Sequence, residues 1–161
     1  MRGTIGAGTA AAALSLLAAG PAEAHPVSEN GYPVIQAVAD CEEWFIRDVV
    51  FQTAPGEPTQ ILRDFAEWFD VNIEPVTLGY DDDYSWRPGE LIPPSYTAVS
   101  NHGSGTSIDI NSALHPLGQV GTFTPEQSAA IRAKVAEFGG RLTWGGDYTE
   151  IPDEMHFEVR R

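Results

Sequence analysis

Three short segments carry most of the side chains able to do chemistry. They are Ser100–Asn111 (SNHGSGTSIDIN), Trp144–Tyr148 (WGGDY) and Asp153–Glu158 (DEMHFE). A catalytic zinc site asks for three histidine or carboxylate ligands and one open position. His102 and Asp109 supply two, and the glycines between them let a loop histidine and a strand carboxylate converge. Asp109 points away from the face that Ile108 and Ile110 share, and a buried carboxylate there is costly without a cation. His156 is the third candidate, again on the non-core face of an apolar strand. If the two strands are sheet neighbours, Asp109 and His156 stand about 5 Å apart at Cβ. Asp153, three residues before His156, is placed to reach a water in the site, with Glu154 as its rival. His115 is a competing ligand, but His115-Pro116-Leu117-Gly118 reads as a turn. Singly, each residue reads equally as a solvated or capping side chain; the spacing alone leaves both readings open.

The elements that position these residues follow from periodicity. Residues 25–33 read as a polar arm. Trp44–Phe51 (WFIRDVVF) reads as a strand, and Ala54–Pro58 as a turn. Ile61, Leu62, Phe65 and Phe69 form one apolar stripe of a helix from Thr59 to near Asp70, followed by an extended Val71–Leu78. Residues 79–105 are irregular, where function tends to sit. Thr106–Ile110 is a strand. Thr124-Pro125-Glu126-Gln127 starts a helix with a capping box; Ile131, Val135 and Phe138 are its buried stripe, and Gly139-Gly140 its stop. Arg141–Trp144 and Met155–Val159 are strands, the latter with Phe157 and Val159 inward and His156 and Glu158 opposite. The mixed order predicts a small single-domain α+β fold, a central antiparallel sheet with flanking helices.

Composition narrows the function. The chain has 161 residues, 42% of them hydrophobic, enough for one packed domain. Nine Lys plus Arg against 23 Asp plus Glu give a net charge of −14. That excludes nucleic-acid binding through a broad basic surface, and a polybasic membrane dock. Cys41 is the sole cysteine, so no internal disulfide forms; its default role is a buried small hydrophobe. Residues 1–24 read as a secretory signal peptide: Met1-Arg2, an Ala/Leu stretch over Thr9–Ala19, and Ala22-Glu23-Ala24 as cleavage site. Cleavage would leave no membrane anchor and expose His25, an accidental first residue rather than a copper ligand. The expected protein is secreted, extracellular or cell-wall-associated.

The pattern S-x-H-x6-D, then W-G-G-D and D-x-M-H-F-E, resembles the VanY-type D-alanyl-D-alanine carboxypeptidases and the L-alanyl-D-glutamate endopeptidases of phage lysins. The likeness runs roughly over residues 58–160. It includes Gly79-Tyr80-Asp81-Asp82 before Arg87, His115-Pro116-Leu117-Gly118 and Thr122-Phe123-Thr124. It implies a Hedgehog/DD-peptidase-like fold with a zinc peptidase core over 58–161, preceded by the leader over 1–24 and an arm and first strand over 25–57. It implies one Zn2+ held by His102, Asp109 and His156, with Asp153 as catalytic base. Arg87 would hold substrate and steady the oxyanion; the alternative for Arg87 is a surface ion pair with Asp81–Asp83. Ser100 would lie next to the substrate and Trp144 at the site wall. The implied activity is hydrolysis of peptidoglycan stem peptides by a monomer, favoured as an L-alanyl-D-glutamate-type endopeptidase. The alternatives are a D-alanyl-D-alanine carboxypeptidase and a non-catalytic zinc-stabilised wall-binding module.

Overall fold

The structure, a computed structural model, describes residues 26–77, 85–89, 91–92 and 97–161. The expected leader, His25 and the Asp81–Asp83 run lie outside the described residues.

The first regular element differs from the single strand read over Trp44–Phe51. It is a hairpin, β1 (Glu42–Ile46) and β2 (Val49–Thr53), with Ile46 opposite Val49. The chain reverses at Arg47-Asp48, with Arg47 at φ 50. No glycine or asparagine announces this turn. Arg47 is instead held from outside, through its Nε–H to Asp70 Oδ1 at 2.5 Å. The hairpin's inner face buries Trp44, Ile46, Val49 and Phe51, with Trp44 stacked on Phe51 at 4.5 Å.

Helix α1 (Glu57–Asn72) begins two residues before the predicted start, so the expected turn at Ala54–Pro58 runs into its first turn. Gly56, at φ 88, precedes it and offers no side chain to cap; Pro58 fits the opening turn, where an N–H has no intrahelical partner. The predicted stripe is its buried face: Leu62, Phe65 and Phe69 are fully enclosed. The helix also takes up Val71 and Asn72, which the sequence assigned to an extended segment.

A second, three-stranded antiparallel sheet has the order β3 (Ser107–Asp109), β5 (His156–Val159), β4 (Leu142–Trp144). Between β3 and β4 lies α2 (Pro125–Glu137), opened by the expected capping box: Gln127 N–H donates to Thr124 Oγ1, and Thr124 N–H to Gln127 Oε1. Gly139 and Gly140, at φ 62 and 86, end it. Ile108, Ile110, Phe157 and Val159 are fully buried against the aromatic cluster of Phe65, Phe69, Phe123 and Trp144. Burying a side chain of this size contributes about 1.5–3 kcal/mol, so the inner face fixes the sheet's register and thereby what its outer face presents.

Candidate metal centre

Register makes the site. In the β3–β5 ladder Asp109 lies directly opposite His156, and Ile108 opposite Phe157. Side chains alternate along a strand, so burying the Ile108–Phe157 pair projects Asp109 and His156 to the other face together. His102 arrives from the turn before β3. That turn is tied to the end of the hairpin by Ala54 N–H to Gly105 O at 2.7 Å. Gly105, at φ 65, has no room for a Cβ: one there would lie 2.8 Å from Ala54 N.

His102, Asp109 and His156 are all buried. His102 Nε2 is 3.2 Å from both His156 Nδ1 and Asp109 Oδ1, and His156 Nδ1 is 2.8 Å from Asp109 Oδ1. Zinc bonds of about 2.0–2.2 Å at tetrahedral angles place neighbouring donor atoms roughly 3.3–3.6 Å apart. Two edges of the triangle lie close to that spacing, and the Asp109–His156 hydrogen bond shortens the third. The remaining ring nitrogens are oriented as a metal requires. His102 Nδ1 is 2.6 Å from Ser85 O; a carbonyl only accepts, so Nδ1 donates there and Nε2 is the atom turned toward Asp109 and His156. His156 Nε2 faces Glu158 Oε2 at 3.4 Å, which leaves Nδ1 for the cluster. The donor set and its orientation fit a zinc ion.

Electrostatics agree. Burial by itself would raise the Asp109 carboxyl, but His102 and His156 outweigh it and hold the group well below the usual carboxylate range. Burial disfavours a charged His156 ring, yet hydrogen bonds to Asp109 and Glu158 raise it well above the usual imidazole range. A cation among these atoms competes directly with the proton on Nδ1. Burial, with Glu158 next in importance, pushes the Tyr148 phenol far above its usual range, so its hydroxyl stays protonated and donates to Glu158.

Around the triad opens a cleft of about 860 Å³. Asp153, Arg87 and Ser100 line it. Asp153 is set by the W-G-G turn: its N–H donates to Gly145 O at 2.9 Å, and a Cβ on Gly145 would lie 2.5 Å from Asp153 O. Arg87 sends Nη2 to within 3.5 Å of Asp109 Oδ2, and its backbone N–H donates to His102 O. Ser100 is buried, and its Oγ accepts the His102 N–H at 3.2 Å.

Trp144 is not at the wall. Only 2% exposed, it lies beneath the site, T-shaped against Phe123 and parallel to Phe157 at 6.4 Å, its indole N–H donating to Glu154 O. The cleft wall at this strand is the neighbouring Thr143. Glu154, the rival base, points away: its carboxylate accepts the N–H groups of Gly121 and Thr122 and the Thr122 hydroxyl. His115 is no ligand; Nδ1 meets Thr122 Oγ1, Nε2 meets Glu74 Oε1, and the ring stacks on Phe123 at 3.7 Å. Cys41 is half-buried rather than enclosed, its thiol pushed up to about 11 by burial and by Asp40.

Two partners of the histidines escaped the sequence reading. Glu158 was visible as the acidic residue two positions after His156 on the same strand face. The Ser85 carbonyl had no sequence signal, because any residue offers one; it is in place because Gln52 N–H and Gln52 O bind the 85–86 segment to β2.

Residues 95–159 match the family model described as D-alanyl-D-alanine carboxypeptidase. The match supports the VanY-type zinc peptidase family. It takes in His102, Asp109, Asp153 and His156 but stops short of Arg87. It supports a hydrolase of the peptidase class. No curated protein and no solved structure matches the chain. Among the described residues no helix is long and apolar enough to cross a membrane.

Proposed function

We propose that the protein is an exported zinc peptidase that cuts peptidoglycan stem peptides as an L-alanyl-D-glutamate-type endopeptidase. The observation that carries this reading is the convergence of His102 Nε2, Asp109 Oδ1 and His156 Nδ1 beside Asp153 in one cleft. His102, Asp109 and His156 would hold the ion. Zinc, when bound, supplies a Lewis acid that polarises a carbonyl and brings the pKa of water toward about 7.

The remaining work falls to side chains of this chain. Asp153 takes a proton from the attacking water as its oxygen bonds to the scissile carbonyl carbon. It returns that proton to the amide nitrogen as the C–N bond breaks, so acid and amine leave with the atoms of one water added. Arg87 steadies the charge that develops on the carbonyl oxygen. Ser100 holds the His102 backbone and offers a hydroxyl to the peptide.

The His115-Pro116-Leu117-Gly118 and Trp144-Gly145-Gly146-Asp147-Tyr148 runs, which resemble those of phage-lysin endopeptidases, favour this reading. The family description favours the second reading, removal of a terminal D-alanine. Export would rest on the residue 1–24 leader and would bring the enzyme to its wall substrate.

The test is incubation of the protein with purified peptidoglycan, with and without a chelator, followed by mass spectrometry of the products. Chelator-sensitive release of stem peptides beginning at glutamate is the expected result. Loss of a single alanine instead would establish the carboxypeptidase. No product from folded, zinc-loaded protein would overturn both.

A further inference from the structure

The arm before the hairpin is built into the metal centre. Ser28 is buried and its Oγ donates to Ser104 Oγ at 2.8 Å; Glu29 N–H donates to Val99 O, and Ile35 N–H to Gly103 O. The arm therefore runs along the turn that carries His102. Asn30 is a second polar anchor, with Nδ2 donating to Thr106 Oγ1 at 2.7 Å and to Val159 O at 2.9 Å. Thr106 immediately precedes β3 and Val159 ends β5, the strands that present Asp109 and His156.

From Asn30 a directed chain of hydrogen bonds leads to the ligand. Asn30 N–H donates to Asn101 Oδ1 at 3.0 Å. A backbone N–H only donates, so the side-chain oxygen of Asn101 must lie on that side and its Nδ2 on the other. Asn101 Nδ2 donates to Glu158 Oε2 at 2.5 Å, and the same oxygen faces His156 Nε2 at 3.4 Å. Each link has one allowed direction, and the last turns Nδ1 of His156 toward His102 and Asp109.

We propose that Glu158 is a positioning residue that fixes the tautomer and ring angle of His156, and that Asn101, held by the arm at Asn30, fixes Glu158. The proposal rests on the reading of His102, Asp109 and His156 as a metal site. It assigns the arm a role in cofactor affinity, although the arm lies outside the matched residues 95–159.

The test measures zinc affinity of the full chain by competition with a chromophoric chelator, together with the 15N shifts of the His156 ring in zinc-loaded protein. Wild type should show Nε2 protonated and Nδ1 bound. Glu158→Ala should weaken zinc about 10–100-fold and lose that ring signature. Glu158→Gln, which keeps an acceptor oxygen, should recover most of the affinity. Asn101→Ala should fall between them, and Asn30→Ala should lower affinity by a smaller factor. If Glu158→Ala does not fold, the other variants carry the comparison. Tight zinc in wild type with unchanged affinity and ring shifts in Glu158→Ala and Asn101→Ala would overturn this proposal alone. No zinc binding by folded wild type would overturn the metal reading beneath it.

Discussion

Gly145→Ala adds one methyl group at a point where the chain is in contact on all sides. Its Cβ would lie 2.5 Å from Asp153 O and 3.1 Å from both Asp153 Cβ and His156 Cβ. An ordinary carbon–oxygen contact needs about 3.3 Å, so Asp153 and Gly145 must separate by nearly 1 Å. The Asp153 N–H to Gly145 O bond, now 2.9 Å, resists that separation, so the strain falls on the base itself. Gly145 does not have a left-handed φ, so alanine adds crowding without backbone strain. Overpacking of this kind costs about 1–3 kcal/mol of stability. A 1 Å displacement of a catalytic group costs on the order of 10²-fold in rate. We therefore expect kcat on a stem-peptide substrate to fall about 100-fold while zinc at saturation stays at one ion per chain. Steady-state kinetics, metal analysis and a thermal melt on one preparation separate the effects. Wild-type kcat in a folded Gly145→Ala protein would refute the assignment of Asp153 as the proton carrier.

Asp153→Asn should retain zinc and lose about 10²–10⁴-fold in rate, checked by the same kinetics and metal analysis; unaltered turnover sinks the base assignment. In a wall-binding module the same variant would leave binding to peptidoglycan unaffected, which a pull-down reads directly. Burial would raise the Glu154 carboxyl, but the Thr122 hydroxyl and the N–H groups of Gly121, Thr122 and Phe123 hold it below the usual range. Its contribution to stability is then present above the ordinary glutamate pKa and lost as pH falls through the depressed value. Glu154→Gln should flatten the acid limb of a denaturation-versus-pH curve, and a curve parallel to wild type would contradict the sign. His115→Ala should leave zinc stoichiometry at one and cost about 1–3 kcal/mol, because Glu74 and Thr122 lose a buried partner. Loss of zinc there would reinstate His115 as a ligand.

The site was readable because alternation was. Ile108, Ile110, Phe157 and Val159 declare a core face, and the opposite face then presents Asp109 and His156 once the two strands pair. The capping box at Thr124 and the glycine stop at Gly139 are local signals, and α2 follows them. What the sequence hid depends on distant partners. The Arg47-Asp48 turn is stabilised by Asp70 on α1, so WFIRDVVF reads as one strand when seen alone. Helix α1 starts early on Gly56, which leaves no capping side chain to mark it. Trp144 carries a polar N–H that suits a cleft wall, yet Glu154 O satisfies it inside the core.

The pairing of Asp109 with His156 has one more consequence, for how such a protein changes over generations. Asp109 and His156 share one rung of a backbone ladder, and His102 sits on a turn tied to the hairpin. Much of the rest of the cleft comes from other segments, with Leu91-Ile92, Pro116-Leu117 and Tyr148–Ile151 among its lining. Insertions or exchanges in those segments reshape which peptide fits while the rungs stay in register. A descendant could thus acquire a new substrate without disturbing the three residues that would hold an ion, and a designer could graft foreign loops there on the same terms.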